Sequence, residues 1–328
     1  MIISVATSDQ IMWNKDAVIV DLVDAMIHNQ PIVIKLLPEG PCAESLELYK
    51  ILDMLCMRFN FDQSQITVQT CNMLEHHANY RIEYIPQMKY LRSAHQYSLP
   101  NCNKIFDNNF KHFGHFIGHG NRLRLRLASK LYKHCADQSL QTYHTDPTQD
   151  YHKPFIGIEE LLYHGYPIDQ IQDALDLIAQ GPIVNDTINS YPILDPVTLN
   201  ITKLYPNFFV EIVSLTYFTG NTFYLDEKIW RPILMRTPFM VQGPQNFFKN
   251  LHKLGFETFS KYWDEGYSED SLDWQCNGIV NNINDIAHMS TSQLKTMYNN
   301  MKPILDHNYD RMMSLTAQDF EKFRNEQN

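Results

Sequence analysis

Residues Phe208–Pro244 read FFVEIVSLTYFTGNTFYLDEKIWRPILMRTPFMVQGP, and this stretch decides the fold. Phe208–Val213 (FFVEIV) has the length and the β-branched and aromatic content of a buried strand. Phe239–Val241, closed by Gly243 and Pro244, reads as a second strand ending in a turn. Between them Thr219, Gly220, Asn221 and Thr222 make a loop-like cluster. Asp226 and Glu227 then open a helical run from Glu227 to Met235, because acidic side chains suit the positive end of a helix. Pro232 is expected to kink or shorten that helix. The unit is strand, loop, helix, strand, the building block of an α/β fold. In such folds ligands bind in loops at the carboxyl ends of strands. Tyr224, Glu227, Lys228 and Arg231 there can hold both a ring and an anionic group.

Working upstream, residues 17–28 have helical spacing and Pro31–Leu37 (PIVIKLL) is a short apolar strand. Ala43–Phe59 is an amphipathic helix, with Leu48, Ile51, Leu52 and Leu55 at spacings of three and four. Ile66–Thr70 (ITVQT) is a further strand, and Arg81–Ile85 another. The alternation predicts a parallel sheet with helices on its faces, a Rossmann-like domain over residues 1–110. The Asn-rich stretch Leu99–Asn109 marks the boundary. A second domain, 111–328, begins with the strand-like HFGHFIGHG of residues 112–120, followed by a helix capped by Asn121. Gln141–Lys153 is a loop by composition, and Ile156–Leu162 and Pro167–Ile178 are helical. Beyond the central stretch, Asn246–Leu254 is amphipathic, Gly255–Asp264 reads as a short strand and turn, and Gly266–Asp273 as an acidic loop. Asn281–Asn308 reads as two helices and Ser314–Arg324 as a terminal one. These last helices are expected to pack back on the first domain.

With 328 residues the chain can build one large or two medium cores, and 44% hydrophobic content with a mean hydropathy of -0.34 suits a water-soluble protein. A net charge of -10 argues against duplex nucleic acid or anionic membranes as partners, yet a few local Arg and Lys suffice for a phosphorylated ligand. Six scattered cysteines without a CxxC pair suit free thiols in a reducing compartment. The N-terminus lacks a basic segment before an apolar run, and no apolar stretch approaches the ~20 residues of a membrane helix. The expected location is cytoplasmic.

Three constellations carry candidate chemistry. Arg122, Arg124 and Arg126 follow Asn121 at a helix start, where backbone N–H groups and guanidinium forks both favour phosphate. Alternating arginines cannot all face one point, and any one of them equally suits a solvated basic face. In Tyr224–Lys228 the Lys offers a point charge, Glu227 can accept the paired hydroxyls of a ribose, and Tyr224 can stack or donate. The same acidic start is also ordinary helix capping. His112, His115 and His119, with His76 and His77, are metal-capable residue types, but on a strand His112 and His115 point to opposite faces. No carboxylate or Cys stands at ligand spacing, so no metal site is expected. GxSxG, Walker A and GxGxxG patterns are absent, which removes the best signals for lipase-like hydrolases, P-loop NTPases and common dehydrogenases.

These residues resemble the donor-binding segment of the α1,3-fucosyltransferase-like glycosyltransferases, whose motif Tyr-x-Thr-Glu-Lys opens a helix and is followed by a Pro-led apolar strand ending in Gly and Pro. Tyr224, Glu227, Lys228, Pro238, Gly243 and Pro244 match it, while Asp226 stands where Thr is usual. Upstream, HFIGHGNRLRLRLASKL of residues 115–131 looks like that family's strand, Asn turn and diphosphate-holding Arg. Arg124, one turn inside the helix, is the favoured counterpart, with Arg122 beside it. The likeness covers residues 111–265.

The resemblance implies a GT-B fold, two Rossmann-like domains facing a cleft. It also implies transfer of a sugar from a nucleotide sugar, GDP-linked by preference, to a hydroxyl on a glycan or small molecule. Such a reaction would invert the sugar and require neither metal nor other cofactor. A carboxylate of the first domain would be the base, Glu75 in preference to Glu39. Glu211, inside an apolar strand, would meet a donor hydroxyl or an arginine. The alternative is a non-catalytic sugar-binding or assembly protein on a degenerate transferase fold.

Overall fold

The computed structural model describes residues 1–5, 13–36, 40–86, 102–117, 121–143, 154–181, 183, 200–269 and 271–327. Two parallel four-stranded sheets organise it. The first runs in sequence order, β1 (Ile2–Ser4), β2 (Ile32–Leu36), β3 (Ile66–Thr70) and β4 (Arg81–Tyr84). Helix α1 (Lys15–Ile27) joins β1 to β2, and α2 (Leu48–Phe59) joins β2 to β3. Ile32, Ile34, Leu36, Ile66 and Val68 alternate with half-buried neighbours, and they pack on Val18, Leu22, Leu52 and Leu55 of the two helices. The helix expected from Ala43 begins only at Leu48. Residues 43–47 turn instead, with Glu47 in the left-handed region at φ 56°.

The second sheet has the order β6-β5-β7-β8, from β5 (Lys111–Ile117), β6 (Ser139–Tyr143), β7 (Phe208–Ser214) and β8 (Phe239–Gln242). Helix α3 (Arg122–Cys135) carries the chain from β5 to β6. Helices α4 (Pro154–Tyr163) and α5 (Ile168–Gln180) lie on the return to β7, and α6 (Glu227–Leu234) leads to β8. The chain leaves β5 on one side and comes back on the other, so the strand order reverses between β5 and β7. In open parallel sheets such a reversal is where a ligand crevice forms, at the carboxyl ends of the strands. All seven residues of β7 are buried, Glu211 among them in an otherwise apolar run as far as Val213. Pro232 lies inside α6 without ending it.

Helices α7 (Phe247–Lys253), α8 (Leu272–Ala287), α9 (Thr291–Ser314) and α10 (Ala317–Asn325) complete the chain. Three sequence expectations change. Strand β6 lies partly in the stretch read as a loop. Residues 255–264 form no strand and instead plug Phe256, Phe259 and Trp263 into the core. Helix α8 starts at Leu272, inside the expected acidic loop. Phe320 of α10 packs on Tyr84, ring centroids 6.5 Å apart, and an Arg324 NH group donates to the Glu75 carbonyl at 3.4 Å. No helix among the described residues is long and apolar enough to cross a membrane.

Candidate functional site

Two helices start at the strand reversal, each with its own cap. Asn121 precedes α3, and its side-chain oxygen accepts the Arg124 N–H at 3.0 Å. Asp226 precedes α6 and accepts the N–H groups of Lys228 and Ile229 at 3.0 and 3.3 Å. Each cap contributes about 1 kcal/mol and fixes where its first turn begins.

The residues singled out in the sequence separate into three groups. At the end of β7, Arg124 is buried, and its guanidinium donates to the Leu215 carbonyl at 3.1 and 2.7 Å and to the Thr216 hydroxyl at 3.1 Å. From the other side the Tyr224 hydroxyl accepts the N–H groups of Thr216 and Tyr217 at 3.2 and 3.1 Å. Arg124 and Tyr224 therefore clamp one turn between them. One helix turn further, Lys228 Nζ sits 3.1 Å from Asp226 Oδ2 and 2.5 Å from Glu227 Oε1. Glu227 Oε2 is buried and, among the described residues, has no hydrogen-bond partner. Burial pushes the Glu227 carboxyl up, but the Lys228 charge beside it wins and holds it below its ordinary value, hence ionised.

Glu211 and Arg231 form a second group, inside the sheet layer rather than at its edge. Arg231 NH2 and Nε both reach Glu211 Oε1, and Tyr205 donates to Glu211 Oε2 while accepting from Arg231 Nε at 2.7 Å. The pairing of Glu211 with an arginine was one of the two expected; Arg231 is that arginine, and so is turned away from the crevice.

The third group is the first domain's contribution. Glu75 is buried, and its carboxylate accepts from the Ala43 N–H at 3.0 Å, the Tyr49 hydroxyl at 2.9 Å and Asn72 Nδ2 at 3.2 Å. Burial raises its carboxyl above the ordinary range, against the pull of these donors. Asn72 joins the two sheets: it donates to the Asn221 carbonyl at 2.9 Å and accepts the Phe223 N–H at 2.9 Å. Met73 N–H adds a bond to the Phe223 carbonyl at 2.8 Å. Gly220 comes so close to the first domain that a Cβ on it would lie 2.0 Å from Ser45 Oγ and 2.8 Å from Cys42 Sγ.

Beneath the crevice runs a buried polar chain. Gln242 donates to the Leu123 carbonyl at 3.1 Å, so its oxygen faces Ser214, whose hydroxyl donates to it at 2.9 Å. The Ser214 oxygen then accepts from His115 Nε2 at 3.0 Å, which leaves the proton on that nitrogen. Burial, with Arg124 nearby, pushes the His115 ring down to about 3, so it stays neutral. His112 meets the Met289 carbonyl at 2.9 Å. His119 and Glu39 lie outside the described residues. Among the described residues no group of three His, Cys, Asp or Glu is placed to hold a metal, and the six cysteines are buried and form no disulfide.

Arg122 lies on the other face of α3, its NH1 donating to the Tyr166 hydroxyl at 3.0 Å. Sequence reasoning missed Asn72, Thr216, Tyr205 and Tyr49. Asn72, Thr216 and Tyr49 work through partners far along the chain, Tyr205 through Glu211 and Arg231, and none carries a local pattern. No protein-family model matches the chain, and a search of curated proteins gives no match.

Proposed function

We propose that this protein is a GT-B glycosyltransferase that moves a sugar from a nucleotide-sugar donor, GDP-linked by preference, to a hydroxyl acceptor with inversion. The observation that carries the reading is the Asp226–Glu227–Lys228 cluster at the start of α6, beside the strand reversal. A carboxylate oxygen without a donor and a cation one residue away suit a ribose hydroxyl and a diphosphate. Lys228 offsets charge as the nucleoside diphosphate leaves. Glu227 accepts from the ribose, and the start of α3, with Arg124 behind its cap Asn121, adds positive potential, while Arg122 faces the other side of that helix. Asp226, where the resembling family has Thr, keeps the capping function, since both side chains serve as helix caps. Glu75 is the base: its raised carboxyl is closer to the neutral range in which an acceptor proton is taken.

One observation favours the second reading, a sugar-binding module without turnover. The Glu75 carboxylate is 3% exposed and already engaged by three donors. A thermal-shift series with GDP, UDP, CMP, ADP and dTDP, followed by donor turnover, separates the two. A nucleotide at a hundred times its Kd stabilises the fold by about 2.7 kcal/mol, a clear rise in Tm. The transferase reading expects that rise with GDP, its loss in Lys228→Ala, and turnover that fails in Glu75→Gln while the nucleotide still binds. Binding without turnover in the wild type, or no shift with any nucleotide, turns the reading to the module.

A further inference from the structure

Helices α1 and α2 lie side by side on one face of the first sheet, because the strand order β1-β2-β3-β4 returns each crossover to the same side. Val18 and Leu22 of α1 and Leu52 and Leu55 of α2 share one core. Both helices run against the parallel strands, and so they are parallel to each other. Lys15 Nζ lies 3.4 Å from Glu47 Oε2, which sets the starts of the two helices level.

The outward ridge of each helix is apolar where a solvated helix would be polar. Val20 and Ile27 on α1 and Met54 and Met57 on α2 are between 53% and 81% exposed. On α1 they alternate with acids. Asp16, Val20, Asp24 and Ile27 follow at spacings of four, four and three, hence on one face. On α2 they alternate with bases, since Lys50, Met54, Met57 and Arg58 share a face in the same way. The buried residues of both helices are on the opposite side, so each ridge points away from the sheet. The ridges are nearly equal in length, on helices of 13 and 12 residues. Lys50 Nζ is 3.4 Å from Glu47 Oε1 and Asp24 Oδ1 is 3.4 Å from His28 Nδ1, both as exposed pairs. Such pairs contribute little in water and yield readily to a better partner. Asp53 flanks the α2 ridge, held by the Tyr80 hydroxyl at 2.6 Å and by Gln63 at 2.9 Å.

We propose that the two ridges dock a second copy of this chain, forming a symmetric dimer in which α1 of one protomer lies along α2 of the other. A two-fold axis can bring two such layers face to face in two ways. With the axis across the helices, α1 meets the partner's α1 and α2 its α2, acid on acid and base on base. With the axis along the helices, α1 meets the partner's α2 and runs parallel to it. Asp16 then faces the partner's Lys50, Val20 the partner's Met54, and Asp24 the partner's Arg58, and symmetry makes each contact twice. Like charges oppose the first arrangement and opposite charges favour the second. Methionine adapts its shape to an apolar neighbour and is enriched in such contacts. Two helices each about 20 Å long offer a small face for a specific interface, so the dimer exchanges with monomer at micromolar concentrations.

Sedimentation equilibrium of the full chain tests this. The wild type is expected to pass from monomer to dimer with a Kd of about 1–100 µM, and to shift toward monomer in high salt. Met57→Glu, at the most exposed of the four apolar positions, where folding is not at risk, sets an acid against the acidic ridge and weakens the dimer about tenfold or more. Asp24→Arg alone and Arg58→Asp alone weaken it as well. The double variant, with its charges exchanged, regains the wild-type Kd to within about threefold. Three results overturn the proposal: a monomer at every concentration up to about 200 µM, a dimer that Met57→Glu leaves intact, or a double variant no tighter than the two single ones. Neither ridge includes a residue assigned to the nucleotide, so dimerisation and the transferase reading stand or fall separately.

Discussion

Two charged clusters sit on the same strand–helix unit, and they are built to opposite ends. Glu211 and Arg231 face each other inside the sheet layer, at 0% and 4% side-chain exposure. Both Glu211 oxygens have donors, one from Arg231 and one from Tyr205. Glu227 and Lys228 begin the same helix as Arg231, at 17% and 16% exposure, and one Glu227 oxygen has no donor. Burying an ion pair is tolerable only when each lone pair and proton is satisfied. Both oxygens of the Glu211 carboxylate are engaged, with only Arg231 NH1 of this cluster left without a hydrogen-bond partner among the described residues, and the cluster specifies how α6 lies on β7. The other cluster keeps a buried acceptor, Glu227 Oε2, with no donor among the described residues, which is wasteful for stability and useful for a ligand.

The sharpest test of this contrast is to remove one partner from each cluster. Glu211→Leu leaves Arg231 buried without its counter-charge, so a loss of about 3–5 kcal/mol in urea denaturation is expected. Adding Arg231→Met to it should recover most of that loss, because the stranded charge is gone. Lys228→Ala should cost less, about 1–2 kcal/mol, since Lys228 and Glu227 keep some access to water and Asp226 keeps its two backbone donors. Equal losses from Glu211→Leu and Lys228→Ala would erase the distinction.

A smaller effect is expected at the seam that brings the first domain to the crevice. Gly220 has φ +74° and no room for a Cβ against Ser45 and Cys42. Gly220→Ala therefore combines left-handed strain with a clash, a destabilisation of about 1–3 kcal/mol. Ser45→Gly in the same chain removes the nearer obstacle and should restore part of the Tm, while Cys42 keeps the rest from returning. A Gly220→Ala protein as stable as wild type would mean that the two domains do not meet this closely in solution.

Much of the fold was legible because its strands are short and apolar. Ile32–Leu36, Ile66–Thr70 and Phe208–Ser214 announce themselves through β-branched and aromatic runs. Strand β6 did not, because Ser139–Tyr143 is an edge strand with Ser, Gln and Thr among its five residues, and composition favoured a loop. Residues 255–264 misled in the other direction. Their aromatic content suggested a strand, but Phe256, Phe259 and Trp263 are buried from an irregular backbone. At the site, Asp226–Lys228 could be found because a helix start has local chemistry. That Arg124 would grip the Leu215 carbonyl, or that Asn72 would reach Asn221 and Phe223, could not, since hydrogen bonds between distant segments leave no periodicity. For Glu211 the sequence posed the question of a partner, and only the packing of Tyr205 and Arg231 answered it.

The smallest expected effect probes what stands behind the closed cluster. Lys104 Nζ donates to the Tyr205 carbonyl at 2.7 Å and the Thr237 hydroxyl at 2.8 Å, and lies 4.8 Å from the Phe208 ring centroid. Burial pulls its ammonium down to about 7, although Cys102 and Glu211 pull it back up. In the unfolded chain the same group titrates near ~10.4. Between those values the unfolded state holds the proton and the folded state has released it, so the unfolded state binds more protons and stability rises with pH. Below about 7 both states are protonated, and this contribution no longer changes with pH. Lys104→Met has no such group, so the stability of wild type relative to the variant should climb steadily from pH 7 to pH 9 in parallel urea titrations. A difference that stays flat over that interval would put the Lys104 charge in contact with water. The apolar wall around Tyr205 would then be open on that side, and the Glu211 cluster would lose the dry setting that separates it from Glu227 and Lys228.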